Sequence, residues 1–369
     1  MHPALTITRR PTRQISIGSV AVGANAPISV QTMTKTDTRD VAATVAQIRD
    51  IENAGGDIVR LAVIDEEAAR ALGAIRRQVR IPLIADIHFN HKLALIALDA
   101  GIDGLRINPG NIGSLDRVRD VVQAAAGRKV PIRIGVNAGS LEKDLLAKHG
   151  GATAGALVES AMGHVRILEE AGHPWIKISV KASDVPRTLQ AYRLLSQTTD
   201  HPLHLGVTEA GTLLNGTIRS SVALGMLIAE GIGDTLRVSL TDHPVQEIKV
   251  GLELLRCFGL RPPGAGVISC PTCGRIQIDV VSLARRVEEA LDAYYRANPM
   301  VPHPTVAVMG CVVNGPGEAR EADIAIAGGL GKGALYVHGV CIATVPEAEI
   351  LDRLMEQVRT FTPVPRDPA

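Results

Sequence analysis

The chain has 369 residues, enough for two or three domains or for one large barrel with an appended unit. Its 39 Lys and Arg against 38 Asp and Glu give a formal net charge of +1, which excludes a broad basic surface for a polyanion such as DNA. Apolar residues make up 46% of the chain and aromatics only 2%, a composition that favours α/β packing and excludes collagen-like and disordered chains.

Two long uncharged stretches, residues 14–34 and 297–317, contain Pro, Gly, Asn, Gln or His, so neither is expected to span a bilayer. Arg9 and Arg10 are not followed by an apolar run, so no export signal is predicted. We therefore expect a cytoplasmic chain without membrane or nucleic-acid partners. Five cysteines are few and odd in number, which suits thiol or metal chemistry better than a disulfide framework.

Short β-branched runs alternate along the chain with helical patterns in which apolar residues lie three and four apart. The predicted strands are Ile28–Gln31, Ile58–Val63, Leu83–Ile87, Gly104–Ile107, Ile132–Val136, Ile176–Val180, Leu203–Val207 and Leu236–Leu240. The predicted helices are Val41–Ala54, Lys92–Ala100, Leu115–Ala125, Ala156–Ala171, Val185–Ser196, Arg219–Ala229 and Val245–Cys257. This alternation over about 250 residues predicts a (β/α)8 TIM-type barrel, with an open doubly wound sheet as the alternative.

Polar side chains cluster near the carboxyl ends of these strands, where barrel active sites are built. They are Arg60, Asp86, His88, Arg106, Asn108, Arg133, Asn137, Lys181, Glu209, Arg237 and Ser239. Any one of them alone is most simply a surface or salt-bridged residue. Five cations with only Asp86 and Glu209 as obvious internal partners, however, predict an anionic ligand. Arginine forks with a lysine favour phosphate or diphosphate over a carboxylate-rich substrate.

The alternation of strand and helix patterns stops after Leu260, and the Pro- and Gly-rich residues 261–266 predict a linker. We expect two domains, a substrate-binding barrel over residues 1–260 and a smaller α+β domain over 261–369. The elements predicted in the second domain are a loop at Cys270, a helix Asp279–Ala297, strands Val306–Val313, Ile324–Ala327 and Leu335–Val337, and a closing helix Glu347–Thr360.

The second domain contains the motif Cys270-Pro-Thr-Cys273, followed by Cys311 and Glu318. A dithiol redox motif explains the first pair but not Cys311. A structural zinc site would need a fourth ligand such as Cys341, His303 or His338. An iron–sulfur cluster held by three cysteines would leave one iron for another ligand or for substrate.

Glycines and a proline between Cys311 and Glu318 let the backbone wrap tightly, which would present Glu318 to a centre that Cys311 already holds. The simpler alternative is a turn in which Glu318 opens a helix, where a carboxylate is stabilising in any case. Cys257 lies in an apolar helical pattern and is most simply a buried small hydrophobe.

Seven longer segments are distinctive: DIHF at 86–89, LRINPGN at 105–111, RIGVNAGSLE at 133–142, SVKASD at 179–184, GIGDTLRVS at 231–239, CPTCGR at 270–275 and the run from Cys311 to Glu318. Together they resemble the family of bacterial 4-hydroxy-3-methylbut-2-en-1-yl diphosphate synthases. The resemblance covers nearly the whole chain in order and matches the compact two-domain form of the family. It implies the reductive ring opening of 2-C-methyl-D-erythritol 2,4-cyclodiphosphate in the non-mevalonate isoprenoid pathway, with two electrons and loss of water.

The resemblance also implies a [4Fe-4S] cluster on Cys270, Cys273, Cys311 and Glu318, with electrons from flavodoxin or ferredoxin. It further implies a homodimer in which the cluster domain of one chain caps the barrel of the other. By motif match the substrate-binding residues are Arg60, Arg106, Asn108, Arg133, Asn137, Lys181, Arg237 and Ser239.

Asp86, His88 and Glu209 are then left for the substrate hydroxyls and for proton delivery. We expect Glu209 to be a buried acid that protonates the leaving hydroxyl group, because burial can tune a carboxylic acid for that role. We expect Glu318 to give way to a substrate oxygen at the fourth iron. A zinc-dependent barrel lyase or aldolase acting on a phosphorylated substrate is the alternative function. A nucleic-acid-binding module is disfavoured by the charge and by the eight aromatic residues.

Overall fold

The computed structural model describes residues 6–108, 112, 115–262, 264–298, 300–311, 313 and 315–363. The chain divides after Arg261 into two compact units. Among these residues, no helix combines the length and the apolar character that a bilayer crossing requires.

The strands of the first unit form a small hairpin and a barrel. They are β1 Ile15–Ile17, β2 Val20–Val22, β3 Ser29–Met33, β4 Ile58–Val63, β5 Leu83–Ile87, β6 Gly104–Ile107, β7 Ile132–Asn137, β8 Ile176–Lys181, β9 His204–Leu205 and β10 Thr235–Leu236. Strands β3 to β10 are parallel and pair in the order β8-β7-β6-β5-β4-β3-β10-β9. A parallel bridge between Ile178 and Leu203 joins the two ends, so the barrel closes and the open-sheet alternative is wrong.

Helices follow the barrel strands and cover the outside of the barrel. They are α1 Val41–Asn53, α2 Glu66–Arg76, α3 His91–Asp99, α4 Leu115–Gly127, α5 Lys143–His149, α6 Ala154–Glu170, α7 Val185–Thr198, α8 Leu213–Ala229 and α9 Pro244–Cys257. Side-chain caps start several of them: Asp65 accepts a hydrogen bond from the Ala68 N–H at α2, and Asp184 accepts one from the Arg187 N–H at α7.

The sequence pattern located all eight barrel strands but missed α2 and α5. Two of the four buried positions of α2 are alanines, which gives a weak apolar signal. Helix α8 begins six residues before the predicted Arg219, and its first turns contain Asn215 and Gly216, which are poor helix formers. Packing accounts for the glycine, because an added Cβ at Gly216 would lie 2.5 Å from Leu240 Cδ2.

The barrel has its main apolar core between strands and helices. Along β7, Ile132, Ile134 and Val136 are at most 1% exposed and belong to that core. The alternate positions of a strand face the opposite side. On β7 these inward positions hold Arg133 and Asn137, so the barrel interior receives the polar residues.

The second unit is a mixed five-stranded sheet with helices on it. Its elements are β11 Val267–Ser269, α10 Val280–Ala297, β12 Val306–Met309, α11 Gly315–Ala319, β13 Ile324–Gly329, β14 Lys332–Val337, β15 Val340–Pro346 and α12 Ile350–Arg359. The strand order is β11-β12-β13-β14-β15. Strands β11, β12 and β13 are parallel to one another, β14 is antiparallel to β13, and β15 is antiparallel to β14. Buried residues of α10 and α12, such as Leu291 and Leu354, pack with the sheet in one core.

Sequence patterns did not predict β11 or β15. The alternative in which Glu318 opens a helix corresponds to α11, which begins three residues earlier, at Gly315. The strand predicted to reach Val313 ends at Met309, so Cys311 lies two residues beyond the strand. Of the segments quoted for the family resemblance, Pro109, Gly110, Asn111, Val312 and Asn314 lie outside the described residues.

Candidate active site

A cavity of about 230 Å³ lies at the carboxyl ends of the barrel strands. Nine of the eleven polar barrel residues predicted from the sequence line it: Arg60, Asp86, His88, Arg106, Arg133, Asn137, Lys181, Arg237 and Ser239. Ser179, Val207 and Thr208 also line the cavity and were not predicted. Asn108, which is 5% exposed, and Glu209 are not among the lining residues.

Asp86 on β5 is the buried carboxylate among these cations. Its Oδ2 lies 3.4 Å from Arg60 Nε, and its Oδ1 lies 3.1 Å from Arg106 Nη1. Burial by itself would raise the pKa of Asp86, but the charges of Arg60, Arg106 and Arg133 outweigh burial and hold the pKa below its usual value. Asp86 is therefore a fixed negative charge near neutral pH, and it orients two guanidinium groups.

The cavity cations are short of anionic partners. Burial lowers the pKa of Arg60 to about 10, and burial together with the neighbouring cations takes the pKa of Lys181 and Arg133 well below their usual values. Within the described part of the chain, Nε and Nη1 of Arg133 are buried and have no hydrogen-bond partner. Because a buried unpaired cation is costly, this cluster is complementary to an anion.

His88 contacts both members of the ion pair between Asp86 and Arg106. Its Nε2 lies 2.7 Å from Arg106 Nη1 and 3.5 Å from Asp86 Oδ1. A guanidinium group only donates hydrogen bonds, so Nε2 accepts and a neutral ring carries its proton on Nδ1. Burial is the largest influence and lowers the pKa of His88; the charge of Asp86 opposes it, and the charges of Arg106 and Arg60 lower the pKa further. His88 is thus a neutral imidazole at the wall of the cavity.

The second internal carboxylate is Glu247 on α9, and the expectation that Glu209 would be that partner is wrong. The side chain of Glu247 is 0% exposed and its Oε2 lies 3.1 Å from Arg237 Nε. Glu209 is exposed and has left-handed backbone, with φ at 54°. Its neighbour Thr208 lines the cavity, but Glu209 itself is left exposed, so a position just past a strand end does not by itself fix burial.

Two glycines make room for cavity cations. An added Cβ at Gly135 would lie 2.7 Å from Arg106 Nε, and one at Gly206 would lie 2.5 Å from Lys181 Nζ. Both distances are shorter than a carbon and a nitrogen atom tolerate. Gly135 also accepts a hydrogen bond from Arg106 Nη2 through its carbonyl oxygen at 3.2 Å. These glycines therefore leave open the space that the two cations occupy.

The alternation of polar and apolar residues along β8 could have identified Ser179, a cavity residue that the sequence analysis did not predict. Lys177, Ser179 and Lys181 occupy every second position, and Ile176, Ile178 and Val180 between them are fully buried in the outer core. Ser179 therefore shares the inward face with Lys181. Thr208 and Val207 follow β9 in irregular structure, where no periodic signal exists.

Cys270 and Cys311 follow two neighbouring parallel strands of the second unit. Ser269 of β11 is in register with Val308 of β12, so the two cysteines lie at the same edge of the sheet. The Gly310 N–H donates a hydrogen bond to Cys270 Sγ at 3.4 Å. Hydrogen bonds to sulfur ligands are common at iron–sulfur clusters, where they tune the redox potential.

The other two predicted ligands are exposed. Cys273 follows Thr272, which has left-handed backbone with φ at 58°, and Glu318 lies on the short helix α11. Among the residues that the structure describes, no three His, Cys, Asp or Glu side chains stand together as a ready metal site. The fit to a cluster therefore rests on the thiol donors and on the sheet edge shared by Cys270 and Cys311.

The remaining candidates for a closed zinc site lie elsewhere on the sheet. Cys341 is on β15, three strands from β12, which corresponds to about 14 Å. His338 follows the antiparallel strand β14 and His303 precedes β12, so both belong to the sheet edge opposite Cys311. His303 is stacked on Tyr295, with ring centroids 3.8 Å apart. A zinc set closed by these residues has no support.

The dithiol interpretation also lacks its usual setting. A redox Cys-x-x-Cys pair has its reactive thiol at a helix N-terminus. Here the next helix, α10, begins at Val280, seven residues after Cys273, so neither thiol of the Cys270–Cys273 motif lies at its N-terminus.

Two family models match the chain. The model described as the GcpE TIM-barrel domain matches residues 12–252, and the model described as the GcpE protein C-terminal domain matches residues 266–360.

Curated relatives match over almost their full length. The 4-hydroxy-3-methylbut-2-en-1-yl diphosphate synthase (flavodoxin) of Geobacter sulfurreducens is 60% identical over 94% of this chain and 97% of its own. The protein of the same name from Thermodesulfovibrio yellowstonii is 54% identical over 96% of this chain and 99% of its own. Among solved structures, a dihydropteroate synthase from Yersinia pestis aligns with a TM-score of 0.49 and 14% identity, over 67% of this chain and 97% of that one.

Proposed function

The chain belongs to the GcpE family, and on that premise we propose that its barrel cavity binds the diphosphate part of the family's substrate. The enzyme is an oxidoreductase of the non-mevalonate isoprenoid pathway. It converts 2-C-methyl-D-erythritol 2,4-cyclodiphosphate to 4-hydroxy-3-methylbut-2-enyl diphosphate with two electrons and loss of water. One observation carries the proposal for the site: among the described residues, the five cavity cations have ion pairs with two buried carboxylates, Asp86 and Glu247.

Arg133 and Lys181 are the cations that would bind phosphate oxygens most directly. Nε and Nη1 of Arg133 are buried and have no partner in the part of the chain that is described. The charges that act on Lys181 come from the neighbouring arginines, so an anion would offset them. Arg60 and Arg106 share Asp86, so each keeps part of its guanidinium group for the ligand. Asn108, Asn137 and Ser239 would add hydrogen bonds.

Calorimetric titration of the purified protein with the cyclodiphosphate tests this site. We expect Arg133→Met to weaken binding roughly 10- to 100-fold, as expected for a lost charged hydrogen bond in a buried site. The control is Arg353→Met, which removes an exposed arginine of the second unit. Equal affinity of wild type and Arg133→Met would overturn the diphosphate assignment.

We propose that His88 and Glu209 handle protons at the mouth of the cavity. The neutral ring of His88 directs Nε2 to Arg106, so its Nδ1 proton is the one available to a substrate hydroxyl group. Glu209 is exposed, so solvent can return a proton to it after each turnover. Asp86 keeps its charge throughout and positions Arg60 and Arg106.

We propose that the family's [4Fe-4S] cluster is held by Cys270, Cys273 and Cys311, with Glu318 as the fourth ligand. Three thiols are the donor type that iron–sulfur clusters require, and the Gly310 N–H to Cys270 Sγ hydrogen bond supports a sulfur ligand there. When bound, the cluster supplies the two electrons, one at a time, and a Lewis-acidic iron. Glu318 is exposed on α11, which fits a ligand that can leave.

We propose a flavodoxin as the electron donor, with a ferredoxin as the alternative. The curated relatives carry flavodoxin in their names. An exposed apolar side chain lies two or three residues along the chain from each of the three proposed cysteine ligands, namely Ile268, Ile276 and Val313. An exposed apolar surface of this kind favours a covering protein surface. We also propose a cytoplasmic location, which agrees with cysteines that form no disulfide among the described residues.

We propose a homodimer, supported by an exposed apolar stripe on α8. Leu214, Ile218, Val222 and Met226 lie four residues apart on one face and are 70%, 53%, 48% and 43% exposed. This 17-residue helix has a single charged residue, Arg219. Outer helices of a barrel normally present polar faces to water, so the stripe favours burial against a second copy of the chain.

A further inference from the structure

We propose that Glu247 is a positioning residue that holds the Arg237 guanidinium group in the geometry for binding the diphosphate. The proposal rests on the proposed function of the barrel cavity, because Arg237 lines that cavity. Glu247 itself lies on α9 and is not among the lining residues, so it acts through Arg237.

Both oxygens of Glu247 bond to Arg237. Oε2 accepts a hydrogen bond from Arg237 Nε at 3.1 Å, and Oε1 accepts one from Nη2 at 3.3 Å. This pairing uses one edge of the guanidinium fork and leaves Nη1 outside it. A planar fork held along one edge can turn little, so its remaining donors keep a fixed direction.

The same carboxylate contacts three further residues of the barrel. Oε2 also accepts from Thr32 Oγ on β3 at 2.6 Å, and Oε1 accepts from the Leu240 N–H at 3.0 Å. Lys35 Nζ lies 3.4 Å from Oε1 and donates to the Leu240 carbonyl oxygen at 2.7 Å. Glu247 is therefore fully bonded in a site that is closed to water.

Arg237 needs such an anchor because it lies beyond regular structure. Strand β10 consists of Thr235 and Leu236 only, so Arg237 is the first residue past it. Its backbone N–H still bonds the Leu205 carbonyl oxygen at 3.0 Å. A long side chain in this position loses conformational entropy on binding unless it is already ordered.

Charge and shape both require a carboxylate here. The neighbours of the two oxygens are all donors: Thr32 Oγ, the Leu240 N–H, Arg237 and Lys35. A glutamine would bring an NH2 group against one of these donors and would leave the Arg237 charge uncompensated in a buried site. Glu247→Gln therefore disturbs the direction and the charge balance of Arg237 with almost no change in volume.

A double-mutant cycle on the holoenzyme tests the proposal. The variants are Glu247→Gln, Arg237→Met and the double variant, and the control is Glu253→Gln, an exposed residue of the same helix. We measure the dissociation constant of the cyclodiphosphate by calorimetry, then KM and kcat with reduced flavodoxin. We expect Glu247→Gln to raise the dissociation constant and KM about 10-fold or more, with kcat within about twofold.

The double variant distinguishes positioning from a general structural role. If Glu247 acts through Arg237, the double variant binds no more weakly than Arg237→Met alone. Additive losses, or wild-type affinity of Glu247→Gln, would overturn the proposal. Wild-type affinity of Arg237→Met would instead contradict the proposed function of the cavity. Should Glu247→Gln fail to fold, Thr32→Val removes one bond to the same oxygen, and the cycle is run with that variant.

Discussion

Arg133 on β7 and Lys177 on β8 are partners in the parallel register, and both side chains are buried, at 3% and 1% exposure. Within the described residues, Lys177 Nζ has no hydrogen-bond partner. Burial and the charge of Arg133 take the pKa of Lys177 well below its usual value. The barrel thus places two cationic side chains side by side in its interior.

Replacing Lys177 should stabilise the protein. Lys177→Met keeps the apolar stem and removes the buried amine, so we expect the free energy of unfolding to rise by about 1 kcal/mol or more. Urea unfolding of the apoprotein at pH 7.5 measures the change, with the exposed Lys249→Met as the control.

The stabilisation by Lys177→Met should decrease as the pH rises. The folded pKa of Lys177 is lowered, so below its unfolded pKa the unfolded chain binds the proton that the folded chain releases. This residue therefore destabilises the fold more as the pH falls from about 10 toward its folded pKa. The gain from Lys177→Met should shrink from pH 7.5 to pH 9.5, and a gain that grows with pH would contradict this account.

The acid stability of the protein should depend on His173. Burial lowers the pKa of His173 to about 4, so the unfolded chain binds a proton between pH 6.5 and 4 that the folded chain does not. The stability that this residue supplies is lost as the pH falls through that window, by about 3 kcal/mol. We expect His173→Leu to flatten the pH dependence of unfolding between pH 6.5 and 4, measured in urea. An unchanged slope would remove His173 as a cause.

Glu209→Gln should separate binding from turnover. The exposed carboxylate is proposed to donate a proton, so we expect kcat to fall by roughly 10²- to 10⁴-fold while the dissociation constant of the cyclodiphosphate stays unchanged. Steady-state kinetics and calorimetry on the same preparation measure both. A kcat equal to that of the wild type would remove Glu209 from the acid role.

Serine substitutions should sort the five cysteines into two groups. After anaerobic reconstitution we expect Cys270→Ser, Cys273→Ser and Cys311→Ser to lose iron, sulfide and visible absorption. Cys257→Ser and Cys341→Ser are the matched controls and should keep all three. Both of these cysteines are exposed, so the expectation that Cys257 is buried is wrong. A wild type with zinc and without colour would contradict the cluster.

The stripe on α8 predicts the effect of a single charge. Ile218→Glu should shift the sedimentation coefficient from that of a dimer to that of a monomer, because a buried unpaired carboxylate is costly at an interface. Val340→Glu places the same charge on an exposed residue of β15 and should leave the coefficient unchanged. A monomeric wild type would contradict the proposed homodimer.

The sequence located the barrel strands well because parallel buried strands read as short apolar runs. The bounds of β4, Ile58–Val63, were predicted without error. Strands β9 and β10 were predicted too long, since Val207 and Leu240 are buried as well but the ladder ends before them. Apolar runs in the sequence indicate which residues are buried. Where a strand ends depends on its backbone hydrogen bonds to the neighbouring strand, which the sequence pattern does not report.

Sequence position also located most cavity residues, but it could not assign their partners. Glu209 was expected as an internal carboxylate because it follows a strand, and Glu247 was not predicted, because it lies in the first turn of a helix, where acidic residues are common. The roles of Gly135 and Gly206 could not be predicted either. Their importance depends on side chains of neighbouring strands, Arg106 and Lys181, which approach only in the folded barrel.

The division of β7 and β8 into an apolar outer face and a polar inner face has a consequence for evolution. Substitutions at Arg133, Ser179 or Lys181 change what the cavity recognises and remove no contact between strands and helices. Substitutions at Ile134 or Ile178 weaken the barrel and leave the cavity wall in place. Along the cavity wall, ligand recognition and packing against the helices are thereby assigned to alternate residues of the same strands, whereas the inward-facing Lys177 does not line the cavity and acts on stability.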